Sequence, residues 1–239
     1  MWESPIYKFE RKREDPDGKV KKEEIVIDVT GSAPTMPEPG DYLESVFKTI
    51  LKGKTPANTI IVDFGAAKLR NSLYLLKKGY RVSAVEFKEL ADRMPQAKQN
   101  WDKAKKKYPQ FHKLIFPKDF YSNKEEIDVI LLINVMNVMP LPIERLTALA
   151  LCRKIMKKDG LLYWLNWKPA SSQPDVYNEK NSLNDGWYKG TGRSKKTFHV
   201  EWTREEAIEM LSATGFSLAD DIEIDKTSSQ SYVFRADKP

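Results

Sequence analysis

The chain has 239 residues, enough for one sizeable core, and its 41% apolar and 11% aromatic content excludes a disordered chain. An excess of bases over acids gives a net charge of +6 and a pI near 9.1, a mild lean towards a polyanionic partner. Cys152 is the single cysteine, so no disulfide framework exists and a reducing, cytoplasmic setting is expected; with His112 and His199 as the only histidines, no metal site is expected. No apolar run reaches the ~18–20 residues of a membrane span, and Glu3, Glu10 and Asp15 break any secretory signal core, so neither membrane insertion nor export is expected.

In chain order, Ile6–Phe9 and Glu24–Val29 read as a small hairpin around the turn signal at Asp15–Gly18. Three prolines between Gly31 and Gly40 exclude a helix there, and residues 1–40 read as an N-terminal extension. Asp41 is the expected N-cap of a helix over Tyr42–Leu51, where Leu43, Val46, Phe47 and Ile50 share one face. From Ile60 strands and helices alternate. The strands are expected at Ile60–Phe64, Arg81–Val85, Lys113–Phe116, Asp128–Asn134 and Leu161–Asn166, and the helices at Leu69–Lys78, Lys88–Tyr108 (broken near Pro95) and Ile143–Lys157. Continuously apolar runs such as Val129–Ile133 suit parallel strands covered on both faces, which predicts a doubly wound α/β sheet. Gly79 and Gly160 read as C-terminal helix caps. Residues 168–198 lose the rhythm and read as a binding loop or lid. Thr203 then caps a helix over Arg204–Thr214 with Glu206 as capping-box partner, Gly215 ends it, and Phe216–Ile224 with Ser231–Arg235 forms a closing antiparallel hairpin.

The strand Ile60–Phe64 carries Asp63 near its end and runs into Gly65, Ala66 and Ala67 before a helix. Small residues there let a ligand approach the backbone, and a helix start offers unpaired N–H groups. The next strand ends in Glu86, a carboxylate placed to accept from a ribose diol. Together they point to a nucleoside-containing cofactor. A nicotinamide fingerprint would need glycines at positions 67 and 70, where the chain has Ala67 and Arg70.

This pattern resembles the class I S-adenosylmethionine-dependent methyltransferases over residues 41–239. The matching residues are Asp63, Gly65 and Ala67 after the first strand, Glu86 after the second, Asp119 after the third, the run Ile127–Met139 at the fourth, and Gly160 before the fifth. The resemblance implies a Rossmann-like, seven-stranded sheet whose last strand is antiparallel and inserted between the fifth and sixth. It also implies S-adenosylmethionine as cofactor, with Asp63, Gly65, Ala67, Arg70, Glu86, Phe87, Asp119, Phe120 and Asn134 around it. Ala67 departs from the family, which most often has a second glycine there. At positive φ an alanine costs about 1 kcal/mol. Two readings stay open: an active enzyme with a variant loop, and a binding or scaffold protein that kept the fold. A fainter resemblance, carried by Ala33–Pro37, Asn134–Val138 and Lys196–Phe198, is to methyltransferases found with DNA phosphorothioation and other phage-defence systems.

Methyl transfer from a sulfonium needs alignment rather than a catalytic triad, and a base only for a protonated acceptor. The expected acceptor contacts are Asn137, Trp167, Trp187, Tyr188 and His199. The lid bases Lys189, Arg193, Lys195 and Lys196, lying beside Trp187 and Tyr188, suit a nucleic acid or a small anion. Asn134–Asn137 lacks the prolines and aromatic residue of base-amino methylases, which disfavours that reaction. The acceptor is therefore left open between a small molecule and a nucleic acid.

Overall fold

The computed structural model describes residues 4–14, 17–32, 39–116, 118–166, 181–190, 196–224 and 230–237. The chain starts with a two-stranded antiparallel ribbon, β1 (Ile6–Glu14) paired with β2 (Val20–Asp28) in the register Tyr7–Ile27, Phe9–Ile25. It is longer than the apolar residues alone indicate, because its outer half is charged and exposed on both strands. Tyr7, Ile25 and Ile27 alternate onto one buried face.

Helix α1 (Asp41–Ile50) follows, burying the four apolar residues of the expected face. Its N-cap is Gly40 rather than Asp41, which lies in the first turn and makes no side-chain cap bond. Next come β3 (Ile60–Phe64), α2 (Arg70–Lys77) and β4 (Arg81–Phe87); then α3 (Lys88–Arg93) and α4 (Pro95–Lys107), divided before Pro95 as expected. Strand β5 (Phe111–Phe116), a short α5 (Lys118–Ser122), β6 (Ile127–Ile133), α6 (Pro142–Ile155) and β7 (Met156–Asn166) complete the parallel half. Beyond it lie three short strands, β8 (Ser182–Leu183), β9 (Gly186–Lys189) and β10 (Thr197–His199), then α7 (Arg204–Ser212), β11 (Phe216–Leu218) and β12 (Gln230–Ala236).

The main sheet has seven strands in the order β11-β12-β7-β6-β3-β4-β5, with β12 antiparallel to both of its neighbours. The expected doubly wound architecture and the inserted antiparallel last strand are both present. Successive residues of each strand serve opposite faces. Ile61, Val82, Val129 and Leu131 pack with α1, α2 and α4, whereas Val62, Phe64, Val85 and Ile130 pack with α6, α7 and the ribbon. Thr203 and Glu206 form the expected capping box, and Gly79 closes α2 at φ +89°, with Tyr80 N–H donating to Leu75 O.

Some boundaries differ. Gly160 is not a helix cap: α6 ends at Ile155, β7 begins five residues earlier than expected, and Gly160 lies within it. A Cβ there would stand 3.0 Å from Lys157 O, so the close backbone rather than a cap explains the glycine. Strand β11 stops at Leu218 instead of Ile224, where Ala219 and Ile222 form a turn. Within the expected lid, residues 181–190 and 196–199 are ordered as an antiparallel sheet β10-β9-β8. That sheet is joined to the ribbon by a parallel bridge between Ile27 and Lys196. Among the described residues no helix is long and apolar enough to cross a membrane.

Candidate functional site

A cavity lies at the C-terminal ends of β3, β4, β5 and β6, where an open α/β sheet places its ligand crevice. One wall is the loop from β3 into α2. Gly65 has φ +70°, and a Cβ on it would stand 2.7 Å from Val135 Cγ2, so the position demands glycine both for its conformation and for space. Ala67 also has positive φ, +43°, as does Leu69 at +64°. The family's second glycine position is therefore left-handed in this chain, and alanine adopts it at a cost of about 1 kcal/mol. Two hydrogen bonds hold the strained residue: Ala67 N–H donates to Glu86 Oε2 (2.8 Å) and Trp101 Nε1–H donates to Ala67 O (3.0 Å). Ala67 lines the cavity and leaves it open.

The two carboxylates have different roles. Glu86 is buried and lines the cavity; its Oε1 accepts from its neighbour's Phe87 N–H (2.9 Å). Burial, opposed by these two N–H groups and reinforced by nearby Asp63, pushes its pKa up to about 7. Asp63 does not line the cavity. Its Oδ2 accepts from Ser72 N–H (3.0 Å) and from Ser72 Oγ–H (2.6 Å), so it fastens α2 to β3 beneath the loop. Strand register explains this. Asp63 pairs with Ala84, and Glu86 lies two residues further towards the rim, roughly 6.6 Å along the strand. Burial raises the Asp63 pKa against its bonds to Ser72 and Asn71.

Arg70, half-buried, lines the cavity; its Nε–H donates to Asn71 Oδ1 (3.1 Å), and burial lowers its pKa against the pull of Asp63. Phe87, Leu90 and Phe116 form an apolar slot beside Glu86. Asp119 and Phe120 are not in that slot. Asp119 is exposed at the start of α5, accepting from Ile115 N–H (3.3 Å), and Phe120 is fully buried behind the slot, edge-on to Phe64. Asn134 lines the cavity at φ +56°, its N–H donating to Leu165 O (2.8 Å); a short amide side chain is one of the few that tolerates this conformation at a strand end.

The remaining wall comes from the segment after β6, within the matched run Ile127–Met139, and from Tyr7, Val29 and Thr30, which sequence reasoning did not single out. Tyr7 of the ribbon, and Val29 and Thr30 in the 3-10 turn just after it, line the cavity together with Val135, Val138 and Met139, which lie between β6 and α6. The ribbon is tied in place. Tyr7 Oη–H donates to Glu144 Oε2 (2.6 Å), Val29 N–H to Pro5 O (3.1 Å) and Asp28 N–H to Lys196 O (2.8 Å). Arg145, buried, donates to Met139 O and pairs with Asp185, while its guanidinium stands 5.3 Å from the Trp202 ring centre. The alternation of Tyr7, Phe9, Ile25 and Ile27 was the available signal that this hairpin buries a face.

Among the described residues, the expected acceptor contacts Asn137, Trp187, Tyr188 and His199 do not line this cavity. Asn137 is buried and its amide nitrogen meets His199 Nδ1 at 3.3 Å, which makes Nδ1 the acceptor and places the ring proton on Nε2, facing Glu201 at 3.7 Å. Burial lowers the His199 pKa against the pull of Glu201. Trp187 and Tyr188 lie on β9, and Tyr188 is in the core under Lys196, whose ammonium is 4.4 Å from its ring centre. Lys196 is itself buried and paired with Glu23 at 3.0 Å, so it is a structural strut rather than a phosphate contact. Trp167, Arg193 and Lys195 lie outside the described residues.

No family model and no curated protein matches the chain. Solved structures do. The chain is similar in fold to the CcbJ methyltransferase of Streptomyces caelestis, with a TM-score of 0.61 at 15% identity over 88% of this chain and 96% of that one. It is similar to an S-adenosylmethionine-dependent methyltransferase of Methanosarcina mazei, with a TM-score of 0.57 at 12% identity over 80% and 98%. A third similar structure is the Burkholderia thailandensis 1,6-didemethyltoxoflavin N1-methyltransferase, bound to that substrate and S-adenosylhomocysteine, with a TM-score of 0.53 at 17% identity over 75% and 71%. The fold is that of the Rossmann-like methyltransferases.

Proposed function

We propose that the chain is an S-adenosylmethionine-dependent methyltransferase. The observation that carries this reading is the pairing of Glu86 with Gly65 in one cavity: a buried carboxylate at the tip of the second strand, and a first-strand loop whose leading position has no room for a side chain. The residues present fit an adenosyl group. Each Glu86 oxygen accepts one backbone N–H and keeps a lone pair for a ribose hydroxyl. The slot of Phe87, Leu90 and Phe116 suits a purine, and Lys68 and Arg70 supply the positive charge a carboxylate needs. When bound, S-adenosylmethionine supplies an activated methyl sulfonium, so the chain's own residues need only orient the two reactants and exclude water. Gly65 allows close approach to the backbone, Asn134 and Val135 close the cavity floor, and the ribbon covers it.

The fainter resemblance to defence-associated methyltransferases gains nothing further here, because Ala33–Pro37 lies outside the described residues and Lys196 is a strut. Titration calorimetry of the full chain with S-adenosylhomocysteine tests the proposal, with saturable binding expected and its loss in Glu86→Ala. A wild-type protein that takes up no S-adenosylhomocysteine would sink it. Transfer of a tritiated methyl group into metabolite, protein or nucleic-acid pools would then separate an enzyme from a scaffold.

A further inference from the structure

The cavity has two chemically distinct ends. The end formed by β3, β4 and β5 carries the charged groups Lys68, Arg70 and Glu86. Away from these groups, between the ribbon and the segment joining β6 to α6, the lining is Tyr7, Val29, Thr30, Val138 and Met139, with Val135 against Gly65 dividing the two, and no charged side chain is among those five. It is a built wall, since Arg145 fixes the Met139 carbonyl and Tyr7 is bonded to Glu144. Its single short-chain hydroxyl is committed in one direction. Thr30 Oγ1–H donates to Asp28 Oδ1 at 2.6 Å, leaving the Thr30 oxygen as an acceptor only. Lys196, a lid base whose backbone carbonyl accepts from Asp28 N–H, is buried against Glu23 and Tyr188.

We propose that the methyl acceptor is a small, uncharged, mainly apolar molecule carrying one hydroxyl or N–H group. It sits between the ribbon and the β6–α6 segment and donates that hydrogen to Thr30 Oγ1. This rests on the methyltransferase reading above and narrows it. A nucleotide or nucleic-acid acceptor would bring phosphate to a wall whose described side chains offer aliphatic carbons, a thioether, a phenol and a hydroxyl without a free hydrogen. Stripping water from an anion there is heavily unfavourable.

The test uses the full chain with excess S-adenosylhomocysteine and two probes, 1-naphthol and a blunt duplex DNA oligomer, followed by fluorescence and calorimetry. Saturable binding of 1-naphthol and none of the duplex is expected. Val138→Asp should weaken the naphthol complex by about tenfold or more, because it buries a charge beside the ring. Thr30→Val should weaken 1-naphthol but not naphthalene, a difference that a general packing defect would not produce. S-adenosylhomocysteine affinity should stay unchanged in both variants, and circular dichroism melts identify any variant that fails to fold. Should Val138→Asp not fold, Val29→Asn, which sets a neutral polar amide beside the ring, should weaken naphthol in the same direction by a smaller factor. Duplex binding with no naphthol signal, or naphthol binding indifferent to both Val138→Asp and Thr30→Val, overturns the proposal. Failure of S-adenosylhomocysteine itself to bind strikes the methyltransferase reading instead; 1-naphthol titrated onto the free protein then still reports on the apolar end.

Discussion

The two ends of the cavity are held by different kinds of force. At the sheet end the positions of Gly65, Glu86 and Asn134 follow from parallel ladders, and the loop is strained at Ala67 and Leu69, both left-handed without glycine. Such strain persists only where the surroundings over-determine it. At the ribbon end, among the described residues, no ladder joins β1 or β2 to the main sheet. Side-chain bonds and backbone pairings that span most of the chain hold it there, Tyr7 to Glu144 and Asp28 to Lys196 among them. One end is rigid because neighbouring strands demand it, and the other because distant residues agree on it. The rigid end should answer a substitution in stability and cofactor affinity together, and the tethered end should answer in acceptor binding first.

The largest effect is expected at Gly65. Gly65→Ala adds a left-handed penalty and a contact 2.7 Å from Val135, together about 2–4 kcal/mol of stability, and closes the approach to the loop. Urea unfolding and S-adenosylhomocysteine titration should both register it; a variant that keeps full affinity would show that the loop does not contact the ligand.

Glu86→Gln comes next. A hydrogen bond to a charged group contributes about 1.5–3 kcal/mol, so affinity for S-adenosylhomocysteine should fall by at least about tenfold. The pH dependence has a definite sign. The Glu86 pKa is raised from the ordinary 4.5 to about 7, so the free protein favours the protonated form. That group's stabilising contribution is fully present below 4.5 and is lost as pH rises through about 7. Ribose hydroxyls donate best to the ionised form, so ligand affinity should climb over the same interval. Denaturant midpoints and calorimetry at several pH values should show opposite trends in the wild type, and the variant should lose the part of each that centres near pH 7.

Tyr7→Phe removes one tether and should cost about 1 kcal/mol, with cofactor affinity nearly unchanged and hydrogen exchange faster in the ribbon. An equal loss at both ends would show that the cavity responds as one unit. Smallest is Ala67→Gly, which relieves the positive φ but frees the unfolded chain. A net gain of no more than about 1 kcal/mol is expected in thermal melts, with binding retained.

The sheet was readable because five apolar runs and their helices leave few topologies, and because Thr203 with Glu206 and Gly79 mark helix ends by local chemistry. Asp63 was harder. Its strand is buried on both faces, so no polar alternation reveals which way a carboxylate turns or how far it lies from the rim. The pairing with Ala84, two positions short of Glu86, decides both, and it is a property of two strands rather than one. Thr30 escaped notice for a similar reason, since its place in the cavity depends on where a hairpin docks. Lys196 looked like a ligand contact in a basic stretch; only the fold supplies Glu23 and Tyr188 to neutralise and cover it.

The bridge between Ile27 and Lys196 has a consequence for biosynthesis. The first two strands leave the ribosome early, yet the backbone that anchors β2 is made some 170 residues later, a wait of roughly 8–34 s at ordinary elongation rates. During that interval Tyr7, Ile25 and Ile27 have no finished surface to cover, and an apolar face of the ribbon is open to chaperones or to another nascent copy.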